Sequence, residues 1–236
     1  MPVDPNAPVR ISAFNWVPPF AQGQVRDLRP RWALEEAGIA YAVRKLDARA
    51  ERPADYYQEQ PFGQVPSYRD DTVLLFESGA IVLHIGRDCE TLLPADPAAR
   101  ARATAWLIAA LNSVEPYMMQ LATIDIFAAG EEWAKLRRPG VIEMIDKRLS
   151  RLSDALRDKA YLDGGRFTAG DPHDDHSAAD HRRQGIPRPV FEPRRLQGAV
   201  SSASGIPGGA RRSDRRFRRA RRGISLNLNA TRGEMT

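Results

Sequence analysis

The sequence predicts a mixed α/β unit followed by an all-helical one, on three observations. Strand-like alternation and helical spacing take turns through residues 9–85. From residue 98 onward the apolar positions keep helical spacing only, and a charged linker containing Pro94, residues 88–96, separates the two regimes. A chain of 236 residues is long enough to bury such a core.

Val9, Ile11 and Phe14 alternate as in a strand, which breaks at Pro18 and Pro19. Val25, Leu28, Trp32, Ala33 and Leu34 predict a helix over 24–37 closed by Gly38 as a left-handed cap, with Pro30 kinking it or making its first turn irregular. A second strand is expected over 40–46, a short helix over 54–60, strands over 66–68 and 73–76 joined by the Asp70–Asp71 turn, and a helix over 79–85. Beyond the linker, apolar faces predict helices over 98–121 and 141–156. Thr168 and Asp171 have capping-box spacing and announce one more helix. From Pro172 onward the chain is instead His, Arg, Gly, Ser and Pro with few large apolar residues, a composition that cannot offset its chain entropy and is expected to be disordered. The expected division is therefore 1–87, 88–171 and a tail, 172–236.

Charge divides the chain at the same place. Residues 1–171 hold 21 Lys and Arg against 24 acids, whereas residues 172–236 hold 14 Arg and 6 acids, so the basic balance belongs to the tail. A single cysteine, Cys89, excludes a disulfide framework and a multi-cysteine zinc site and fits a reducing compartment. No apolar run approaches the roughly 18 residues of a membrane span. The opening residues are acidic and proline-rich where a signal peptide is basic and then apolar, so a cytoplasmic location without membrane attachment is expected.

Four runs in order carry a resemblance: VRDLRPRWALEEAGIAY at 25–41, FGQVPSYRDDTVLLFESGAIVLHI at 62–85, LLPAD at 92–96 and RFTAGD at 166–171. Over residues 9–171 the chain is similar to the cytosolic glutathione transferases. The resemblance implies a thioredoxin-like N-terminal domain, an all-α helical-bundle C-terminal domain left incomplete here, glutathione as co-substrate with a small electrophile, no metal, and a homodimer. It also implies a cis Val65–Pro66 bond that turns the Val65 backbone toward the ligand. An extended peptide can then pair there as an added strand, with Gln64, Val65 and Pro66 forming the binding loop. Glu77 would bind the ligand's α-amino group and Ser78, at the start of a helix, its α-carboxylate.

The thiol activator of such enzymes commonly comes after the first strand as Tyr, Ser or Cys. The loop here reads Asn15, Trp16, Val17, Pro18, Pro19, Phe20. Ser12 lies within the strand, too early, which leaves Asn15 as a donor to sulfur or the backbone amides near Gly23 and Gln24. Trp16 and Phe20 either line the acceptor pocket or pack as core. His84 reads as packed, Cys89 as an ordinary thiol, and the charges of 44–52 as a solvated edge and loop.

The tail supports three readings. His173, Asp174, Asp175, His176, Asp180 and His181 resemble a metal cluster, and residues 211–222 put 8 Arg in 12 positions, like a segment that docks nucleic-acid phosphates. Written as degenerate codons and read one base further on, residues 172–183 permit Arg-Met-Met-Thr-Thr-Val-Leu-Arg-Ile-Ile-Asp-Asp, the apolar-periodic helix that the capping box calls for. The same shift over 190–196 and 200–207 again permits family-like segments. A one-base frameshift at codons 171–172 accounts for all of them, and nucleic acid is then no expected partner. The expected function is attack of glutathione thiolate on an electrophile. The alternatives are a glutathione-dependent reductase, isomerase or peroxidase, or a non-catalytic glutathione-binding protein whose Arg-rich tail meets nucleic acid.

Overall fold

A computed structural model describes residues 3–171 apart from 160 and 164, and all of these fall in one compact unit. The expectations for residues 172–236, namely disorder, the metal-like cluster, the Arg-rich segment and the shifted reading, lie outside the described residues.

The N-terminal part is a four-stranded mixed sheet in the order β2-β1-β3-β4. β1 (Val9–Phe14) runs parallel to β2 (Tyr41–Leu46) and antiparallel to β3 (Ser67–Arg69), which pairs antiparallel with β4 (Leu74–Phe76). Period-2 alternation sends Val9, Ile11, Tyr41 and Tyr68 to the inner face. There they pack on Trp32, Leu34, Ile81, Val82 and Ile85 of α1 (Leu28–Ala37) and α2 (Ser78–Gly86). Each such side chain contributes about 1.5–3 kcal/mol when fully buried.

Gly38 caps α1 in the left-handed conformation, φ 67°, as expected. The helix begins later than its apolar spacing predicts, so Pro30 is the third helical residue rather than an interior one. There its missing N–H is one of the donors left without an intrahelical acceptor anyway, and no kink is needed. The segment expected as a short helix over 54–60 is a 3-10 turn, Ala54–Gln58.

Asp96 caps α3 (Pro97–Ala109), its carboxylate accepting from the Ala99 N–H at 2.7 Å. The helix predicted over 98–121 is interrupted. A π-helical stretch, Ala110–Val114, leads into α4 (Glu115–Ala122), and a second, Thr123–Phe127, comes after it. Pro116 explains the first, since it cannot donate to the carbonyl four residues back and its ring crowds that carbonyl. α5 (Glu132–Leu156) starts well before the predicted 141 and runs through Pro139. Burial of Ala134, Val141 and Ile145 against Val114, Met118 and Leu121 outweighs the proline. Among the described residues no helix is long and apolar enough to cross a membrane.

The core of the sheet continues past the linker, because Leu92, Leu93, Ala103, Leu107 and Ala169 belong to the same apolar cluster. One half of the capping box forms: Asp171 accepts from the Thr168 N–H at 2.8 Å and from the Leu162 N–H at 2.6 Å, whereas Thr168 Oγ1 accepts from the Gly170 N–H rather than that of Asp171, and residues 169–170 form a turn. A Cβ at Gly170 would stand 2.7 Å from the Ala103 carbonyl oxygen, so this segment is seated directly on α3.

Candidate functional site

The strand ladders bring three separated segments to one edge of the sheet. Ile11 is opposite Tyr68 and Ser67 opposite Phe76. Antiparallel pairing extended past these positions sets Pro66 beside Glu77 and the end of β1 beside Val65. Asn15, the 64–66 loop and the head of α2 therefore share that edge. The Val65–Pro66 bond is cis, and among the described residues neither the N–H nor the C=O of Val65 makes a hydrogen bond.

A buried relay fixes this loop. The Ser67 N–H donates to Ser12 Oγ at 2.6 Å, Ser12 lies 2.7 Å from the Tyr56 hydroxyl, and that hydroxyl donates to the Gln64 carbonyl at 2.6 Å. Burial pushes the Tyr56 hydroxyl above its ordinary value, so it stays protonated as the donor at neutral pH. Gln60 Oε1 accepts from the N–H groups of Phe62 and Gln64. Ser12 is thus committed to holding the loop, in agreement with its place inside β1.

At the head of α2, Glu77 is exposed and adopts φ 68° and ψ 112°, a region that side chains rarely occupy and that costs about 1–3 kcal/mol. Ser78 is buried, and its Oγ accepts from Arg29 Nη1 at 3.1 Å, leaving its own O–H to donate. Arg29 Nη2 reaches Glu115 Oε1 at 2.8 Å, and Arg26 Nε reaches the same oxygen at 3.1 Å. Two guanidiniums of the α1 region and one carboxylate of α4 thereby stand behind Ser78. Sequence reasoning missed Arg29 and Glu115, because an arginine one position from a leucine on a short helix reads as solvated.

Asn15 donates its N–H to the Leu46 carbonyl at 2.8 Å, while its carboxamide is exposed and makes no hydrogen bond among the described residues. Trp16 and Phe20 are nearly half exposed, which rules out the core alternative for both. Arg49 stacks over Trp16, and Phe20 meets Phe127 edge-to-face at 6.2 Å, joining the loop after β1 to the end of the second π-helical stretch. The charges of 44–52 are not simply solvated: Arg44 pairs with Asp55 and Glu59, and Arg52 donates to the carbonyls of Asp47, Ala50 and Gly63. They pin the 47–52 loop beside Gly63, next to the cis-Pro segment. Cys89 lies past the far end of α2, a helix of nine residues and thus about 13 Å long, away from Ser78.

Residues 20–87 match the family described as glutathione S-transferase, N-terminal domain. Over that segment the chain is similar to this domain, and its fold is that of the glutathione transferases. The glutathione S-transferase GstA of Escherichia coli O157:H7 is 29% identical over 147 residues, 59% of this chain and 70% of that protein. A probable glutathione S-transferase, GSTF2, of Oryza sativa subsp. japonica is 32% identical over 134 residues, 50% of this chain and 61% of its own length. Among solved structures, a theta-class glutathione S-transferase of Xanthomonas axonopodis pv. citri with glutathione bound gives a TM-score of 0.59 at 23% identity, covering 84% of this chain and 92% of that one. A Burkholderia graminis glutathione transferase with two glutathione molecules bound per subunit gives 0.62 at 20%, covering 69% and 68%. These likenesses extend the transferase fold from the first domain into the helical one, which carries Glu115.

His84 Nε2 sits 2.7 Å from Asp70 Oδ2 and its ring packs on Tyr68, so it is structural as expected. Burial works against ionisation of Asp70, but hydrogen bonds from His84, from the Thr72 hydroxyl and N–H and from the Val73 N–H outweigh it and hold the carboxyl well below its ordinary value. An acid whose folded pKa is depressed adds stability that is complete above the unfolded value and is lost as pH falls through the folded one. Asp70→Asn is therefore expected to lower stability by about 1.5–3 kcal/mol at pH 7 and by much less near pH 2, in urea midpoints at the two values.

Proposed function

We propose that the chain binds glutathione along the edge formed by Val65 and Ser78 and delivers its thiolate to a small electrophile. The observation that carries this reading is the alignment of a cis-Pro loop having unused backbone groups with a helix N-terminus backed by two guanidiniums. The cysteinyl segment would pair with Val65 as an added strand. The α-carboxylate would accept from the Ser78 O–H and N–H, where the helix dipole and the Arg26 and Arg29 charges favour an anion. The α-amino group would meet the exposed Glu77 carboxylate, and Gln64 would flank the peptide. The Asn15 carboxamide would donate to sulfur, lowering the thiol pKa. The thiol proton leaves to solvent, the sulfur lone pair forms the new bond to carbon, and the displaced electron pair departs with a leaving group or, at an activated double bond, moves to the neighbouring atom, which takes a proton from solvent. Phe20 and Phe127 would form one wall for the electrophile. A homodimer in the cytoplasm is part of the same proposal.

Each of Glu77→Ala and Ser78→Ala is expected to weaken glutathione binding tenfold or more, as loss of a hydrogen bond to a charged group worth about 1.5–3 kcal/mol requires. Calorimetric titration checks this, and unchanged affinity in both variants would remove the ligand from this edge. Asn15→Ala is expected to shift the pH–rate profile upward and slow conjugation at pH 7 with little change in glutathione affinity. A wild-type profile would turn attention to the amides near Gly23. Retention on immobilised glutathione tests the binding that all these readings share, and turnover of an electrophile then separates the catalytic ones from a non-catalytic glutathione-binding protein whose Arg-rich tail meets nucleic acid. Among the former, thiolate transfer is favoured over a cysteine-based reductase because Cys89 stands away from the Ser78 end of α2.

A further inference from the structure

The outer face of the sheet holds a cavity that the glutathione reading does not use. It has a volume of about 390 Å³, and Arg10, Ser12, Arg44, Glu59, Ser67 and Arg69 are among its lining residues. Period-2 alternation puts residues 10 and 12 of β1, 44 of β2 and 67 and 69 of β3 on this face, away from the α1 and α2 layer. Its acid is already engaged. Glu59 accepts from Arg44 at 2.6 Å and from the Ser67 hydroxyl at 2.9 Å, and Arg44 is further held by Asp55. The Ser12 hydroxyl belongs to the relay with Tyr56 and Ser67.

Arg10 and Arg69 are different. They are directly opposite each other in the antiparallel β1/β3 pair, and among the described residues neither guanidinium has an acidic or hydrogen-bonding partner. Like charges facing across an antiparallel pair destabilise it. The arrangement becomes favourable when one anion lies between them, since a guanidinium fork matches the oxygen geometry of carboxylates and phosphates. Arg44 is neutralised by Glu59 and Asp55, so the uncompensated positive charge on this wall is that of Arg10 and Arg69. We propose that this cavity is a binding site for a small dianionic oxyanion, a phosphate monoester or a dicarboxylate, clasped by Arg10 and Arg69 and separate from the edge that carries Val65 and Ser78.

The test titrates the full chain with inorganic phosphate and, in a second arm, with succinate, both at pH 7.4 and at constant ionic strength set with chloride. The Arg-rich tail also attracts anions, so the comparison is with Arg10→Gln/Arg69→Gln and with a charge-matched control, Lys147→Gln/Arg151→Gln. The wild type and the control are expected to be stabilised alike by the dianion in thermal unfolding, and the Arg10/Arg69 variant to need at least tenfold more of it for the same shift. The arm with the larger shift distinguishes phosphate from dicarboxylate. In dianion-free buffer the Arg10/Arg69 variant is expected to unfold at or above the wild-type temperature, because a repulsion has been removed. Equal dianion responses in wild type and Arg10/Arg69 variant, or equal losses in that variant and the control, would overturn the proposal. Glutathione affinity should be the same in all of these chains, so failure here leaves the glutathione reading standing.

Discussion

Glu115→Ala is expected to destabilise the protein by about 3–5 kcal/mol and, in whatever fraction remains folded, to weaken glutathione binding. The carboxylate and the Arg29 side chain are 7% and 5% exposed, so the substitution takes away the carboxylate to which a buried cation is bonded. Arg29 is also the group that donates to Ser78 Oγ. If it moves to recover a partner or water, the Ser78 hydroxyl loses its orientation at the head of α2. Urea unfolding reads the first effect and calorimetric titration the second. Glu115→Gln separates them, because the amide keeps the volume and one acceptor while removing the charge. It should recover part of the stability and less of the affinity. Stability within 1 kcal/mol of wild type for Glu115→Ala would show that the pair behaves as a solvated one and that α4 does not support the site.

Restoring the shifted reading frame after codon 171 is expected to give a more soluble chain of higher unfolding temperature. The described helices bear large apolar side chains in water: Phe127 and Leu136 are about three-quarters exposed, and Ile108, Met119 and Trp133 about half. Exposed apolar surface of this extent invites association. The Asp171 half of the Thr168–Asp171 cap is already built, and the segment is docked on α3. The shifted codons permit the apolar-periodic helix that such a cap opens, and each large apolar side chain it covered would contribute about 1.5–3 kcal/mol. Covering four would match a typical domain's whole margin of about 5–15 kcal/mol. Expression of both chains, with solubility, thermal unfolding and protease resistance compared, tests this, and the nucleotide sequence around codon 171 tests the frame directly. Equal stability of the two chains would sink the frameshift account as physics. The shared cluster of Ile11, Trp32, Ala103, Leu107 and Ala169 also means that the α/β unit does not bury its core alone, so both units should lose structure together on heating.

Much of the fold is determined by the sequence through local rules. Gly38 ends α1 because that φ requires little else than glycine, Asp96 and Pro97 start α3, and alternating apolar residues choose the inner face of β1. The candidate loop was legible as well, since Gln64-Val65-Pro66 and Glu77-Ser78 are contiguous runs whose separation is that of two short antiparallel strands and a turn. Only the tertiary structure decided where charge is buried and what it supports. Arg29 and Arg31 lie in the interior although their helix reads as amphipathic in the ordinary sense, and the acid that meets Arg29 comes from Glu115, 86 residues away. The same holds for Tyr56, whose hydroxyl joins Ser12 to Gln64 across 44 and 8 residues, and for the run of α5 through Pro139. Local propensity depends on a residue and its near neighbours, whereas the free energy of a buried charge, a relay of hydroxyls or a tolerated proline depends on groups that only folding brings within a few ångströms.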